Sequence, residues 1–259
     1  MAVLMFLSTV LMQSGVRQDG VASRSFFGVY RVSEAGPYNV LVHGTTLHGA
    51  QRVRDDQGNP LTPPDLTPTT YYHPNSPMGQ SVNIVRERLE KEGNKAGHYG
   101  VIGLGSGSMG CHKKGEESWT YFEIDPVMRG ITTNPKNFSF VTNCLGNNPN
   151  IVMGDARLTM AKQPDGFFDL IVVDAFSSDA VPVHLMTKEA LELFKAKLTP
   201  KGVAVLHVSN RYLDLDGVLA ATQPLVPDFH GVIVTDEHSE GYGASASTAV
   251  MFSKDPKSL

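Results

Sequence analysis

Few folds accommodate the stretch Val101-Ile-Gly-Leu-Gly-Ser-Gly107 when it is followed by Tyr121-Phe-Glu-Ile-Asp125, with Glu123 sixteen residues beyond Gly107. An apolar strand runs into a glycine-rich turn, and a second apolar strand ends in a carboxylate. Gly103, Gly105 and Gly107 let backbone amides approach a ligand, because no Cβ stands in the way. An acid at the tip of the next strand can accept both hydroxyls of a ribose, which is the logic of a doubly wound nucleotide site. The match to G-x-G-x-x-G is loose, since the glycines after Gly105 are at 107 and 110. The turn-to-acid spacing is also too short for a long intervening helix. Both points fit an S-adenosylmethionine (SAM) type pocket better than a dinucleotide pocket. Read alone, the turn also suits a tight loop and Glu123 an exposed strand end, but the two together favour a nucleoside ligand.

From Ser76 onward, strand and helix signals alternate. Val82, Val85 and Leu89 recur at helical spacing within 78–92. Strands are predicted at 99–103, 119–124, 150–153, 168–174, 203–208, 231–235 and 247–252. Helices are expected at 126–133, after 156, at 187–198 and at 214–222. The order predicts an α/β fold with a parallel sheet and right-handed crossovers. Residues 1–75 have a different texture. Short β-branched and aromatic runs at 27–32, 38–43 and 47–53 are separated by turn residues, and 57–74 carries five prolines, which exclude a central strand. The expected organisation is a small antiparallel β-domain at 1–75 and a Rossmann-like nucleoside-binding domain at 76–259.

Composition narrows the partners. The net charge of −4, from 22 basic and 26 acidic residues, argues against a nucleic-acid partner. Cys111 and Cys144 lack C-x-x-C spacing, so neither a metal site nor a disulfide framework is expected, and a reducing, cytoplasmic compartment is favoured. The apolar stretch 2–12 falls short of the about 20 residues of a membrane span. It lacks a basic leader region and a cleavage site, and reads as a strand or the stub of a membrane segment.

Ligands of such sheets sit at the carboxyl ends of the strands. Asp155-Ala156 offers an acceptor and a backbone amide suited to adenine, although Gly-Asp-Ala-Arg also suits a helix N-cap. Asp125, before proline, reads as a cap. Asp174 closes the most apolar strand, where a carboxylate is costly unless paired or touching ligand. Asp179 follows on the next loop, as a second acid or a turn residue. Two acids above a cofactor pocket suit an amine substrate, whose proton one of them can take. His184 reads as structural.

These residues resemble the spermidine synthase (polyamine aminopropyltransferase) family. The resemblance rests on Gly103–Gly107, Tyr121–Asp125, Gly154–Arg157 and Asp174–Leu185, with Leu41–Gln51, Thr70–Tyr72 and Ser209–Leu215 in support. It runs from about Ser25 to Phe252 and is strongest for the bacterial branch fused behind membrane helices. The apolar N-terminus would then border that membrane part. The resemblance implies a methyltransferase-type sheet behind a small β-domain, with decarboxylated SAM, or SAM, as the bound nucleoside and no metal. Gln51 and the glycine turn would face its methionine-derived part. Glu123 would hold the ribose, and Asp155 and Ala156 the adenine. Asp174 would take the amine proton, and Tyr72 would line the amine channel. Relatives often pair as homodimers. This chain departs from the family at three places. Ser106 stands where relatives have an acid, Tyr72-His-Pro74 replaces a Tyr-His-Glu motif, and Asp179 comes five residues after Asp174 rather than three. The leading function is aminopropyl transfer to a di- or polyamine. The rivals are SAM-dependent methyl transfer and a non-catalytic nucleoside-binding descendant.

Overall fold

The computed structural model describes residues 20–175, 182–210 and 213–259. The apolar stretch 2–12 and Asp179 lie outside them. Four antiparallel strands, β1 (Val21–Ser25), β2 (Gly28–Ala35), β3 (Tyr38–His43) and β4 (Thr46–Arg52), form a meander in sequence order. A seven-stranded sheet follows, in the order β10-β11-β9-β8-β5-β6-β7. Its strands are β5 (His98–Ile102), β6 (Ser118–Glu123), β7 (Asn150–Met153), β8 (Phe168–Val173), β9 (Leu198–His207), β10 (His230–Asp236) and β11 (Ser247–Ser253). Strands β5 to β9 pair in parallel, as expected. The end of the sheet corrects the all-parallel expectation: β11 is antiparallel to both β9 and β10. A 237–246 connection joining β10 and β11 with no helix can return the chain only in the opposite sense.

Two layers of helices cover the sheet because its strands are apolar on both faces. Leu170 and Val172 of β8 join the cluster that includes Val82 and Val85 of α1 (Pro77–Lys91). Ile171 and Val173 join the opposite cluster, with Leu191 and Phe194 of α4 (Lys188–Lys197) and Leu219 of α5 (Leu215–Thr222). All six residues of β8 are buried, as a central parallel strand requires. Short helices α2 (Pro126–Thr132) and α3 (Ala156–Ala161) start at Asp125 and Asp155, whose carboxylates accept from the amides of Val127 and Leu158. Both are therefore N-caps. No helix among the described residues is long and apolar enough to cross a membrane.

The two sheets are joined through buried polar contacts. Tyr30 Oη of β2 donates to the Asp125 carboxylate at 2.6 Å, and Ser25 Oγ donates to the same oxygen. Gln51 of β4, 1% exposed, donates to Ser139 Oγ and Asp65 O and accepts from Ser139 N at 2.8 Å.

A second correction concerns the cysteines. Cys111 and Cys144 form a disulfide, with their Cα atoms 4.9 Å apart across 33 residues of sequence. The 3₁₀ turn Ser108–His112 packs on the π-turn Val141–Leu145, a proximity that local cysteine spacing does not encode. The bridge removes the argument for a reducing compartment.

Candidate active site

Three chain segments meet at the carboxyl edge of the sheet because of its strand order. β5 lies between β6 and β8, with Ile102 opposite both Phe122 and Val173. One residue further on, Gly103 is therefore flanked by Glu123 on one side and Asp174 on the other. The amide of Gly103 donates to Phe122 O, and that of Asp174 donates to Ile102 O. The chain leaves β5 toward β6 and returns on the other side through β8, which makes this edge the topological switch point where such sheets bind ligands.

The glycines serve different ends. Gly103 has φ +96°, and a Cβ there would lie 2.0 Å from the carbonyl oxygen of Asp174. The close approach it permits is therefore between two strand ends. Gly107, at φ +85°, would drive a Cβ to 2.5 Å from Val141 and does not line a cavity. It packs the turn against the disulfide-braced segment.

Two cavities open at this edge and share Asp174 and His48 as a common wall. The glycine-turn cavity, about 240 Å³, is lined by Gly103, Gly105, Glu123, Asp155, Ala156 and, from the meander, Tyr30 and His43. The hairpin cavity, about 440 Å³, lies toward β10 and β11 and is lined by Tyr71, His207, Asp236 and Glu237.

Glu123 is 7% exposed. Burial pushes its carboxyl above the ordinary glutamate value, against the pull of the amides of Asp125 and Leu104, which donate to it. The amides of Asp125 and Leu104 each reach one oxygen, and that of Ile124 also stabilises the charged form; a carboxylate has about four acceptor sites, so capacity remains for a sugar hydroxyl. Asp155 caps α3, lines the same cavity and faces His184 at 3.2 Å. The cap and ligand readings of Asp155 are thus compatible, and His184 has a place beside it.

Asp174 has one oxygen on Tyr72 Oη, which donates to it, and the other 2.9 Å from His207 Nδ1. Burial favours the neutral acid, but the field and hydrogen bond of His207, the Tyr72 hydroxyl and His48 together hold it below the ordinary aspartate value. It is therefore a carboxylate at neutral pH, poised at the junction of the two cavities. Burial, and after it the charge of Asp174, pushes both Tyr71 and Tyr72 well above the usual phenol value.

The remaining expectations are placed as follows. Gln51 and Gly107 line neither cavity, and the polar atoms of Gln51 are committed to Ser139 and Asp65. Tyr72 is fully buried behind Asp174, and the adjacent Tyr71 is the tyrosine that lines the hairpin cavity, stacked on His207 at 4.6 Å. Ser106 is wholly buried beneath Gly49, where a Cβ would meet its hydroxyl at 2.2 Å. An acid at position 106 would have no room in this packing.

Sequence reasoning missed His48, Tyr71 and His207. A signal existed for His207: like Asp174, it is a polar residue closing an otherwise apolar strand.

No family model matches the chain. Among curated proteins, a polyamine aminopropyltransferase of Vibrio vulnificus (strain CMCP6) is 29% identical over 142 residues, covering 53% of this chain and 46% of that protein. The match thus spans about half of either chain. Among solved structures, a probable spermidine synthase from Corynebacterium glutamicum ATCC 13032 superposes with a TM-score of 0.64 at 13% identity, covering 92% of this chain and 80% of that one. A spermidine synthase from Thermotoga maritima gives 0.62 at 13% identity, with 92% and 75% covered. A spermidine synthase in complex with the transition-state analogue AdoDATO gives 0.61 at 13% identity, with 92% and 73% covered. The sequence relative bears out the resemblance at the level of the family, not of the membrane-fused branch. The structures show that the chain has the spermidine synthase fold, a methyltransferase-type sheet with a small antiparallel sheet before it.

Proposed function

We propose that this protein is an aminopropyltransferase, which moves the aminopropyl group of decarboxylated SAM to a di- or polyamine. The observation that carries this reading is the position of Asp174: one buried carboxylate forms the wall between a glycine-turn cavity and a second, acid-lined cavity. A methyltransferase would also bind its acceptor beside the sulfonium, but it would not need the acids that line this second cavity. The names of the sequence relative and of the structural neighbours support the same reading.

In this mechanism the nucleoside lies in the glycine-turn cavity. A ribose hydroxyl donates to Glu123, and its adenine meets Asp155 and the amide of Ala156. The sulfonium faces Asp174. An acceptor amine enters from the hairpin cavity. Its nitrogen attacks the carbon beside sulfur, a C–N bond forms and the C–S bond breaks. The electron pair leaves with sulfur as methylthioadenosine, and the amine proton passes to the Asp174 carboxylate. The protein contributes alignment and a base, while the cationic sulfur supplies the leaving group.

Incubation with decarboxylated SAM and a panel of linear amines tests the proposal. Methylthioadenosine should form in equal amount with an aminopropylated amine. S-adenosylhomocysteine formed from SAM, with no methylthioadenosine from the decarboxylated form, would instead identify a methyltransferase.

A further inference from the structure

In this chain the usual carboxylate positions for gripping a polyamine are altered: 106 is a buried serine, 74 is a proline and Asp179 is displaced. A linear diamine is charged at both ends, so a site holding only the reacting nitrogen would leave its second ammonium desolvated without a partner. The hairpin cavity supplies acids from an unrelated part of the chain. Asp236 ends β10, and Glu237 follows it on the connection to β11.

Asp236 is fixed in place. Its carboxylate lies 2.8 Å from His73 Nε2 and accepts from the amide of His238. Glu237 is exposed at the same cavity. An independent feature of the opposite strand also calls for a ligand. Ser247, the first residue of β11, lines the cavity at 4% exposure, and its buried hydroxyl has no hydrogen-bond partner. A buried hydroxyl left unpaired costs about 1–3 kcal/mol, and an ammonium N–H would satisfy it. No lysine or arginine lines the cavity among the described residues, so its field selects cations over anions.

We infer that Asp236 and Glu237, assisted by Ser247 Oγ, hold the far ammonium of a linear di- or polyamine while its near nitrogen meets Asp174. This assignment rests on the acceptor reading of the hairpin cavity given above. It makes the β10–β11 edge a determinant of acceptor length and charge. Selectivity then follows from charge number. A diamine uses both ends of the cavity, and a monoamine uses only the end at Asp174.

The test is calorimetric titration of the full chain, saturated with methylthioadenosine, with 1,4-diaminobutane and with propylamine. Glu237→Gln should weaken diamine binding about threefold to tenfold and Asp236→Asn about tenfold, as for charged hydrogen bonds at exposed and half-buried positions. Propylamine affinity should stay within about twofold in both, since the monoamine makes neither contact. Glu237 is exposed, so its variant keeps the test valid if Asp236→Asn unfolds. Unchanged diamine affinity in Glu237→Gln and in folded Asp236→Asn would overturn the inference, as would equal losses for diamine and monoamine. Absence of diamine binding to the nucleoside-saturated wild type would overturn it too. Failure to bind methylthioadenosine at all would instead defeat the nucleoside reading, and with it the assignment.

Discussion

The two cavities that meet at Asp174 are built in contrasting ways. The glycine-turn cavity is largely made of consecutive strand ends and first helical turns: Gly103 after β5, Glu123 at the end of β6 and Asp155 before α3. Its groups are placed by backbone geometry, and the disulfide and Gly107 brace the turn that follows. The hairpin cavity draws Tyr71, His207, Asp236 and Ser247 from four separate segments. A backbone-built site tolerates sequence drift better than a side-chain-built one.

The sharpest break between the halves should come at their shared wall. Asp174→Asn is expected to lower turnover about 10²- to 10⁴-fold, the usual contribution of a positioned base. Methylthioadenosine affinity, read by calorimetry, should be nearly unchanged. Retained turnover would remove the base role. The brace on the nucleoside side comes next. Opening the Cys111–Cys144 loop in Cys144→Ser should cost about 3–4 kcal/mol in urea unfolding, from the loop-closure entropy of 33 residues. An unchanged unfolding midpoint would mean that the bridge does not restrain this fold.

Glu123→Gln probes the nucleoside half alone. It exchanges a charged acceptor for a neutral one and should weaken methylthioadenosine binding about tenfold to a hundredfold. In the wild type the same contact predicts a pH effect. Burial raises the Glu123 pKa, and its charged form is the acceptor. Affinity should therefore fall as pH decreases, starting above the ordinary glutamate value of about 4.3. A flat profile down to that pH would detach Glu123 from the ribose. The smallest effect is expected behind the wall. Tyr72→Phe removes a donor to Asp174, whose pKa should rise toward the ordinary value. Loss of the carboxylate, and with it of activity, should then set in at higher pH, with less than about a tenfold change at neutral pH. An acid limb that does not move would contradict the assigned contact.

The same contrast accounts for what the sequence made readable. Gly103, Glu123, Asp155 and Asp174 each sit where an apolar run ends, and the run and its terminus are adjacent in the chain. The 3₁₀ turn Thr70–Tyr72 has no such periodicity, so nothing local tells which of two neighbouring tyrosines lines the cavity and which is buried behind it. Gln51 and Ser106 keep their place in the resemblance, but whether a side chain reaches ligand depends on how β4 packs over the glycine turn. The disulfide likewise depends on a contact distant in sequence. Asp236 and Glu237 read as a strand end no different from any other until the strand order brings β10 and β11 beside β9.

A crystal structure with methylthioadenosine and 1,4-diaminobutane bound together would test the central claim most directly. The nucleoside should lie across the carboxyl ends of β5, β6 and β7, with its ribose on Glu123 and its sulfur turned toward Asp174. One amine nitrogen should sit at Asp174, on the hairpin side. A nucleoside bound elsewhere, or a sulfur pointing away from Asp174, would contradict the account.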